Sequence, residues 1–222
     1  MRVLRPGIVI QGPTDHYEKI IHSMNHVDAD VVWSCWNGES KEAITNIFGN
    51  MNIVVSDKPL ISGFGNINLQ TFSTIAGINS LSNEMILKIR SDMLVSDFNS
   101  FMRILERKSD LSFLCMHDIT KIGVRYAVDY ISFGSRKDSL DFWDVRDDSH
   151  EAVPAEVRLL QNFSKKRNMS ESQSLMSFDY FLKDINDKGI RIDWLEESVN
   201  IAEYIQQSDF VPDKKLVCER LS

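Results

Sequence analysis

Glu84-Met85-Ile86-Leu87-Lys88-Ile89-Arg90-Ser91-Asp92-Met93-Leu94-Val95 begins as an apolar run of strand length and then carries Lys88, Arg90 and Asp92 at every second position. Side chains on a strand alternate between faces, so these three are expected on one face. Lys and Arg are rarely buried without a partner, because an unpaired charge in an apolar setting is costly. Two cations and a carboxylate at the carboxyl end of a strand therefore suit an anionic ligand, and open α/β sheets bind ligands at that end. A structural ion cluster accounts for the same pattern, with Asp92 starting a turn and the cations reaching solvent.

The segments on either side supply the rest of a sheet. Gly7-Ile8-Val9-Ile10 reads as a buried strand stopped by Gln11-Gly12-Pro13-Thr14. Asp15 and Glu18 have capping-box spacing and predict a helix with Ile20, Ile21 and Met24 on one face. Val31 to Cys35 and Asn52 to Val55 read as further strands, separated by a helix carrying Ala43, Ile44 and Ile47. A loop rich in Gly and Asn then leads to a helix with Leu69, Phe72, Ile75 and Ala76 at helical spacing. After the opening stretch, Ser96 is placed to cap a helix whose Phe98, Phe101, Met102 and Leu105 follow the i, i+3, i+4, i+7 pattern. Such alternation predicts an α/β fold with a mostly parallel sheet covered by helices on both faces. Right-handed crossovers bring the strands' carboxyl ends, with Gln11-Gly12, Ser34, Ser56-Asp57 and Ser91-Asp92, to one edge.

The second half is less regular. Leu111 to His117 reads as a strand, and Tyr126 to Phe133 contains another. Ser135-Arg136-Lys137-Asp138 opens a short helix, Asp144 to Pro154 is a polar loop, and Ala155 to Phe163 is helical. Ser170-Glu171-Ser172-Gln173 is a capping box opening a helix through Leu182, and Ile190 to Trp194 reads as a strand. Without repeats or an evident linker, residues 1–222 are expected to form one domain, with 1–110 as a nucleotide-binding half and 111–222 as an acceptor-side half.

Composition narrows the function. Hydrophobic residues make up 43% and charged residues 26% of the 222, ordinary for a soluble globular protein. A formal net charge of -7 argues against a general nucleic-acid binder, which carries a basic face. Cys35, Cys115 and Cys218 lack metal-ligand spacing and read as free thiols of a reducing compartment, so a cytoplasmic protein is expected. No apolar run approaches the ~20 residues of a membrane span, and the opening residues lack a signal-peptide core. There is no Gly-x-x-x-x-Gly-Lys-Ser/Thr, no Gly-x-Gly-x-x-Gly after the first strand, and no Gly-x-Ser-x-Gly elbow. His22 and His26 at i, i+4 read as an exposed helix pair rather than zinc ligands. A nucleotide- or phosphate-dependent reaction at the strand edge is the class left standing.

Ile8-Val9-Ile10-Gln11-Gly12-Pro13, Trp33-Ser34-Cys35-Trp36, Asn66-x-Asn68-x-Gln70 and Leu87-Lys88-Ile89-Arg90-Ser91-Asp92 together resemble the WavE-like lipopolysaccharide biosynthesis family, over residues 7 to 135. The resemblance implies a GT-A type, Rossmann-like glycosyltransferase fold. It implies transfer of a sugar from a nucleotide-activated donor to a glycan or lipid-linked acceptor, in assembly of bacterial lipopolysaccharide or capsule. The place implied is the cytoplasm, or the inner face of the membrane reached by peripheral association or through a partner protein. In such enzymes a strand like the opening one ends in an Asp-x-Asp type motif that holds a divalent cation. Here Asp92 matches the last acid, as a ligand for Mg²⁺ or Mn²⁺, while Arg90 stands where the first would be. A lone carboxylate makes a poor magnesium cage, and Arg90 with Lys88 can neutralise phosphate directly.

The resemblance also assigns softer roles. Gln11, Gly12 and Pro13 would sit under the base or ribose, and Asn66, Asn68 and Gln70 would contact the donor. Each has an equally good structural use, as a tight turn or as helix-capping residues. Trp33 and Trp36 can stack on a base or sugar, with core packing the expected use of at least one. Asp129 and Glu171 are the two candidates for the base that deprotonates the acceptor. Glu171 is equally explained as an acid in a first helical turn, worth ~0.3–1 kcal/mol against the helix dipole. The rival of another class is a non-catalytic nucleotide-sugar-binding or scaffolding module. A sugar nucleotidyltransferase is disfavoured by the missing Gly-rich loop after the first strand.

Overall fold

Seven strands form the central sheet of a computed structural model that describes residues 5–119, 124–146, 153–206 and 210–211. The chain runs β1 (Gly7–Gln11), α1 (Tyr17–Met24), β2 (Asp30–Trp36), α2 (Lys41–Phe48), β3 (Asn52–Ser56), α3 (Ile67–Ser80), β4 (Met85–Arg90), β5 (Met93–Val95) and α4 (Phe98–Leu105). It continues through β6 (Ser112–Phe113), β7 (Met116–Ile119), β8 (Val124–Ala127), β9 (Ile131–Ser135), α5 (Arg136–Trp143), α6 (Ala155–Arg167) and α7 (Glu171–Ser177). The last elements are β10 (Asp179–Tyr180), α8 (Leu182–Asp187), β11 (Ile192–Trp194), β12 (Val199–Asn200), α9 (Ile201–Gln206) and β13 (Phe210–Val211). Cys218, the segment after Val211 and most of the Asp144–Pro154 loop lie outside the described residues.

The sheet order is β10-β6-β9-β4-β1-β2-β3. β1, β2, β3 and β4 pair in parallel, and only β9 runs against its neighbours β4 and β6. The α/β class and the mostly parallel sheet are as the sequence predicts. Residues 1–110 and 111–222 share this sheet, because β9 hydrogen-bonds along β4. Alternation divides the core as a pleat requires. Ile8 and Ile10 join Leu87, Ile89, Phe101 and Phe181 on one face, while Val9 joins Ile86, Ile78, Phe142 and Leu159 on the other.

Several local expectations give way to tertiary contacts. The Asp15–Glu18 capping box does not form, because the Thr14 amide and hydroxyl both donate to Glu39 and the helix starts after His16. Asp97, not Ser96, caps α4, since Ser96 exchanges hydrogen bonds with Arg191. The Leu111–His117 strand divides, with β6 entering the central sheet and β7 a separate antiparallel one. The opening stretch divides too, at Ser91-Asp92, so that β5 pairs with β11. The Ser170 capping box forms, but its helix ends at Ser177 because Asp179 and Tyr180 pair with β6. On α3 the buried face is Asn68, Thr71, Thr74, Gly77 and Ile78, whereas Phe72 is exposed. Small residues are needed there: a Cβ on Gly77 would stand 2.5 Å from the Val9 side chain, and the Ser34 hydroxyl donates to the Ser73 carbonyl at 2.7 Å.

Candidate functional site

β1 has β2 on one side and β4 on the other, so the chain reverses its direction of travel across the sheet at β1. Such a switch point leaves a crevice beyond the strands' carboxyl ends. Gln11 is in register with both Ser34 and Arg90, and the Ser91 amide donates to the Gln11 carbonyl at 2.9 Å. Gly12 has φ +133°, and a Cβ there would stand 2.5 Å from the Ser91 hydroxyl oxygen. Both the conformation and the close approach need glycine.

A cavity of about 330 Å³ opens at this point. Gln11, Gly12 and Pro13 form one wall, Trp36 a second, and Gly65, Asn66 and Gln70 a third at the entry to α3. Leu69, Arg90, Ser91, Asp92 and Glu196 complete it. The Oε1 of Gln70 is buried without a hydrogen-bond partner. Trp33 is core, with its indole N–H on the Gly12 carbonyl at 3.2 Å. A larger depression of about 580 Å³ lies beside it, but Asp15, Glu18, Glu39 and Glu42 against Lys58 make it unsuited to an anion.

Arg90 is held rigidly. Its Nε and Nη2 donate to the two oxygens of Asp92 at 2.9 and 2.5 Å, and Asp92 also accepts the Trp194 indole N–H at 3.0 Å. The guanidinium lies 5.2 Å from the Tyr130 ring centroid and 5.6 Å from that of Trp194. Burial disfavours its charge, but the hydrogen bonds and charge of Asp92 outweigh this and raise its pKa above the ordinary arginine value. Two of its five N–H donors serve Asp92, so three are not engaged by that carboxylate. Trp194 comes from β11, and sequence reasoning gave it no site role because its contact with Asp92 spans 102 residues.

Lys88 does not reach the cavity, contrary to the expectation of two cations converging on a ligand. It is 1% exposed, its Nζ donates to the Asp129 backbone carbonyl at 2.7 Å, and it lies 4.4 Å from the Trp143 ring centroid. Burial lowers its pKa to about 8, with Asp129 opposing the shift. Asp129 is itself 1% exposed, and its Oδ2 has no hydrogen-bond partner. Glu156, in the first turn of α6, shares this electrostatic environment. Burial and then the Asp129 charge raise its pKa to about 7, against the pull of Arg90 and Lys88. The sequence held no signal for Glu156 beyond its place in a helical stretch.

Asn68 is buried under the loop before α3, with its amide on the Ile61 carbonyl at 3.0 Å, and lines no part of the cavity. Glu171 is at the other edge of the sheet. It follows α6, whose Arg167 pairs with Asp138 and Asp141 of α5, and α5 starts where β9 meets the first residue of β4. Glu171 is exposed in the first turn of α7, where the capping box fixes it by local chemistry alone. A divalent cation fits poorly at Asp92. Both carboxylate oxygens already accept hydrogen bonds and a guanidinium stands beside them. Among the described residues, no group of three or more His, Cys, Asp or Glu could hold a metal ion.

Cys35 and Cys115 are buried free thiols, and burial raises both pKa values, to about 12 for Cys35. Among the described residues, no helix is long and apolar enough to cross a membrane. No protein-family model matches the sequence, and no curated protein matches it. Among solved structures, one similar chain is described as a glucose-1-phosphate thymidylyltransferase from Bacillus anthracis in complex with sucrose. The two share 9% identity at a TM-score of 0.43, over 75% of this chain and 85% of that one. A likeness of that size carries nothing about activity.

Proposed function

We propose that this protein is a glycosyltransferase that takes a sugar from a nucleotide-activated donor, and that its donor occupies the cavity at the β1/β4 switch point. The observation that carries this reading is Arg90, fixed by Asp92 and two aromatic rings with three N–H donors not engaged by that carboxylate. A diphosphate placed there would meet those donors and the amino end of α3, whose partial positive charge favours an anion. Trp36 offers a face for a base or sugar, and Gln70 an unmet acceptor for a hydroxyl or amine. Gln11, Gly12 and Pro13 shape the floor, and Asn66 the rim. Lys88 acts from below, as a buried positive charge that reinforces the field of Arg90. Charge that builds on the departing diphosphate would be stabilised by groups already oriented toward it.

The family resemblance supports a glycan or lipid-linked acceptor of surface polysaccharide assembly as the second substrate. The test is thermal shift with UDP-glucose, UDP-N-acetylglucosamine, GDP-mannose and dTDP-glucose, each with Mn²⁺ and with EDTA. A donor at 100 times its Kd should stabilise the fold by about 2.7 kcal/mol. The expected result is a shift that persists in EDTA and disappears in Arg90→Ala. No shift from any donor sinks the reading. A full shift in Arg90→Ala with complete dependence on Mn²⁺ sinks the role of Arg90. A non-catalytic module would bind without turnover, so release of nucleoside diphosphate separates it from an enzyme.

A further inference from the structure

Glu196 lines the same cavity as Arg90 and has no task in the proposed transfer. It belongs to the four-residue turn between β11 and β12, across which Trp194 is in register with Val199. Two contacts fix that turn at the cavity. The Leu195 amide donates to the Asp92 carbonyl at 2.8 Å, and the Trp194 indole N–H donates to the Asp92 carboxylate at 3.0 Å. β11 also pairs with β5, which continues the chain directly after Asp92. Asp92 is therefore shared: it holds the Arg90 guanidinium from one side and the hairpin that carries Glu196 from the other. The backbone at Glu196 is fixed relative to that guanidinium. Asp92 and Glu196 are the two carboxylates among the described residues that line the cavity, and they differ in one respect. Both oxygens of Asp92 are taken, whereas Glu196 is exposed and no hydrogen bond or ion pair engages its side chain among the described residues.

Resting on the transferase reading, we infer that the Glu196 carboxylate accepts hydrogen bonds from two neighbouring hydroxyls of the nucleotide sugar and so orients it in the cavity. An ionised carboxylate is an acceptor only, with room for several O–H donors on its two oxygens. Vicinal hydroxyls, on the ribose or on the transferred sugar, are two donors close enough for one carboxylate to meet together. Such charge-assisted bonds are shorter and roughly twice as strong as those between neutral groups. The diphosphate is kept from this place, because like charges repel. Arg90 and the amino end of α3 attract the phosphates, while Glu196 turns them away and accepts hydroxyls. The opposed charges favour one direction of the donor over the reverse. They also account for a carboxylate in a cavity that takes an anion. In the sequence, Leu195-Glu196-Glu197-Ser198 reads as an ordinary polar turn, and only the pairing of β11 with β5 and β12 brings Glu196 to the cavity.

The test is calorimetric titration of the wild-type protein, Glu196→Ala and Glu196→Gln with each of the four donors that gives a thermal shift. The matching nucleoside diphosphate is titrated beside it, in ribose and 2′-deoxyribose forms. Both variants should keep the wild-type denaturation midpoint, since the side chain is exposed and unpaired. Glu196→Ala should weaken binding by at least ~10-fold, and Glu196→Gln by less. If the hydroxyls are those of the ribose, the loss appears with the ribose diphosphate and is absent with its 2′-deoxy form. If they are those of the sugar, the loss appears only with the intact donor. Wild-type affinity of Glu196→Ala for every ligand overturns the inference, and a fall in kcat alone would then assign Glu196 to proton transfer. An equal loss with all three ligands, or tighter binding, overturns it as well. A wild-type protein that binds no donor overturns the transferase reading and this inference together, whereas wild-type binding matched by Glu196→Ala overturns this inference alone.

Discussion

Arg90 and Lys88 are two residues apart on one strand and end in different places. At the strand's last position Arg90 can swing to Asp92 and the cavity, whereas Lys88 is enclosed by Trp143 and the Asp129 carbonyl. Asp92 therefore matters first as the anchor of a guanidinium. Asp92→Asn keeps one acceptor and loses the charge, so it should destabilise the fold by roughly 1–3 kcal/mol and loosen Arg90. Chemical denaturation together with donor thermal shift measures both effects. An unchanged midpoint with unchanged donor binding would show that Asp92 anchors nothing.

α3 links packing to the site at the scale of one element. Its entry residues line the cavity, and its body is pressed onto β1 and β2 through Gly77 and Ser73. A side chain at Gly77 would collide with Val9, so Gly77→Val should cost about 1–3 kcal/mol through overpacking. Because the helix must lift to admit it, weaker donor binding should accompany the loss, although Gly77 touches no part of the cavity. Denaturation midpoints and donor titrations on the same variant test this. Lost stability with donor affinity fully retained would mean that α3 does not couple core to site. The sequence misread this helix because the apolar stripe Leu69, Phe72, Ile75 and Ala76 is the stronger periodic signal. Close approach to a sheet selects small residues instead, and Thr, Ser and Gly give no hydrophobic period.

The whole molecule bears the cost of holding Lys88 inside. Burial lowers its pKa from 10.5 to about 8. Between those values the unfolded chain binds a proton that the folded one has released, so this group makes stability rise with pH from about 8 to about 10.5. Below pH 8 both states carry the proton, and the folded state bears the full cost of the buried ammonium. The difference in unfolding free energy between the wild-type protein and Lys88→Met should follow this rise across that window. A difference that is flat with pH would contradict the burial of a titrating ammonium.

Sequence alone determined the alternation of strands and helices, the buried β1, the capped starts of α5 and α7, and the edge to which Gln11-Gly12 and Ser91-Asp92 belong. Those features follow from side-chain periods of two and 3.6 and from capping chemistry that acts within a few residues. Tertiary structure decided which charges meet. It kept Lys88 inside, turned Asp92 to Arg90, and moved Glu171 to the far edge. It also brought Glu156 and Trp194 to residues far away in sequence. No local pattern encodes these outcomes. They depend on the order β10-β6-β9-β4-β1-β2-β3 and on which neighbours desolvate each charge.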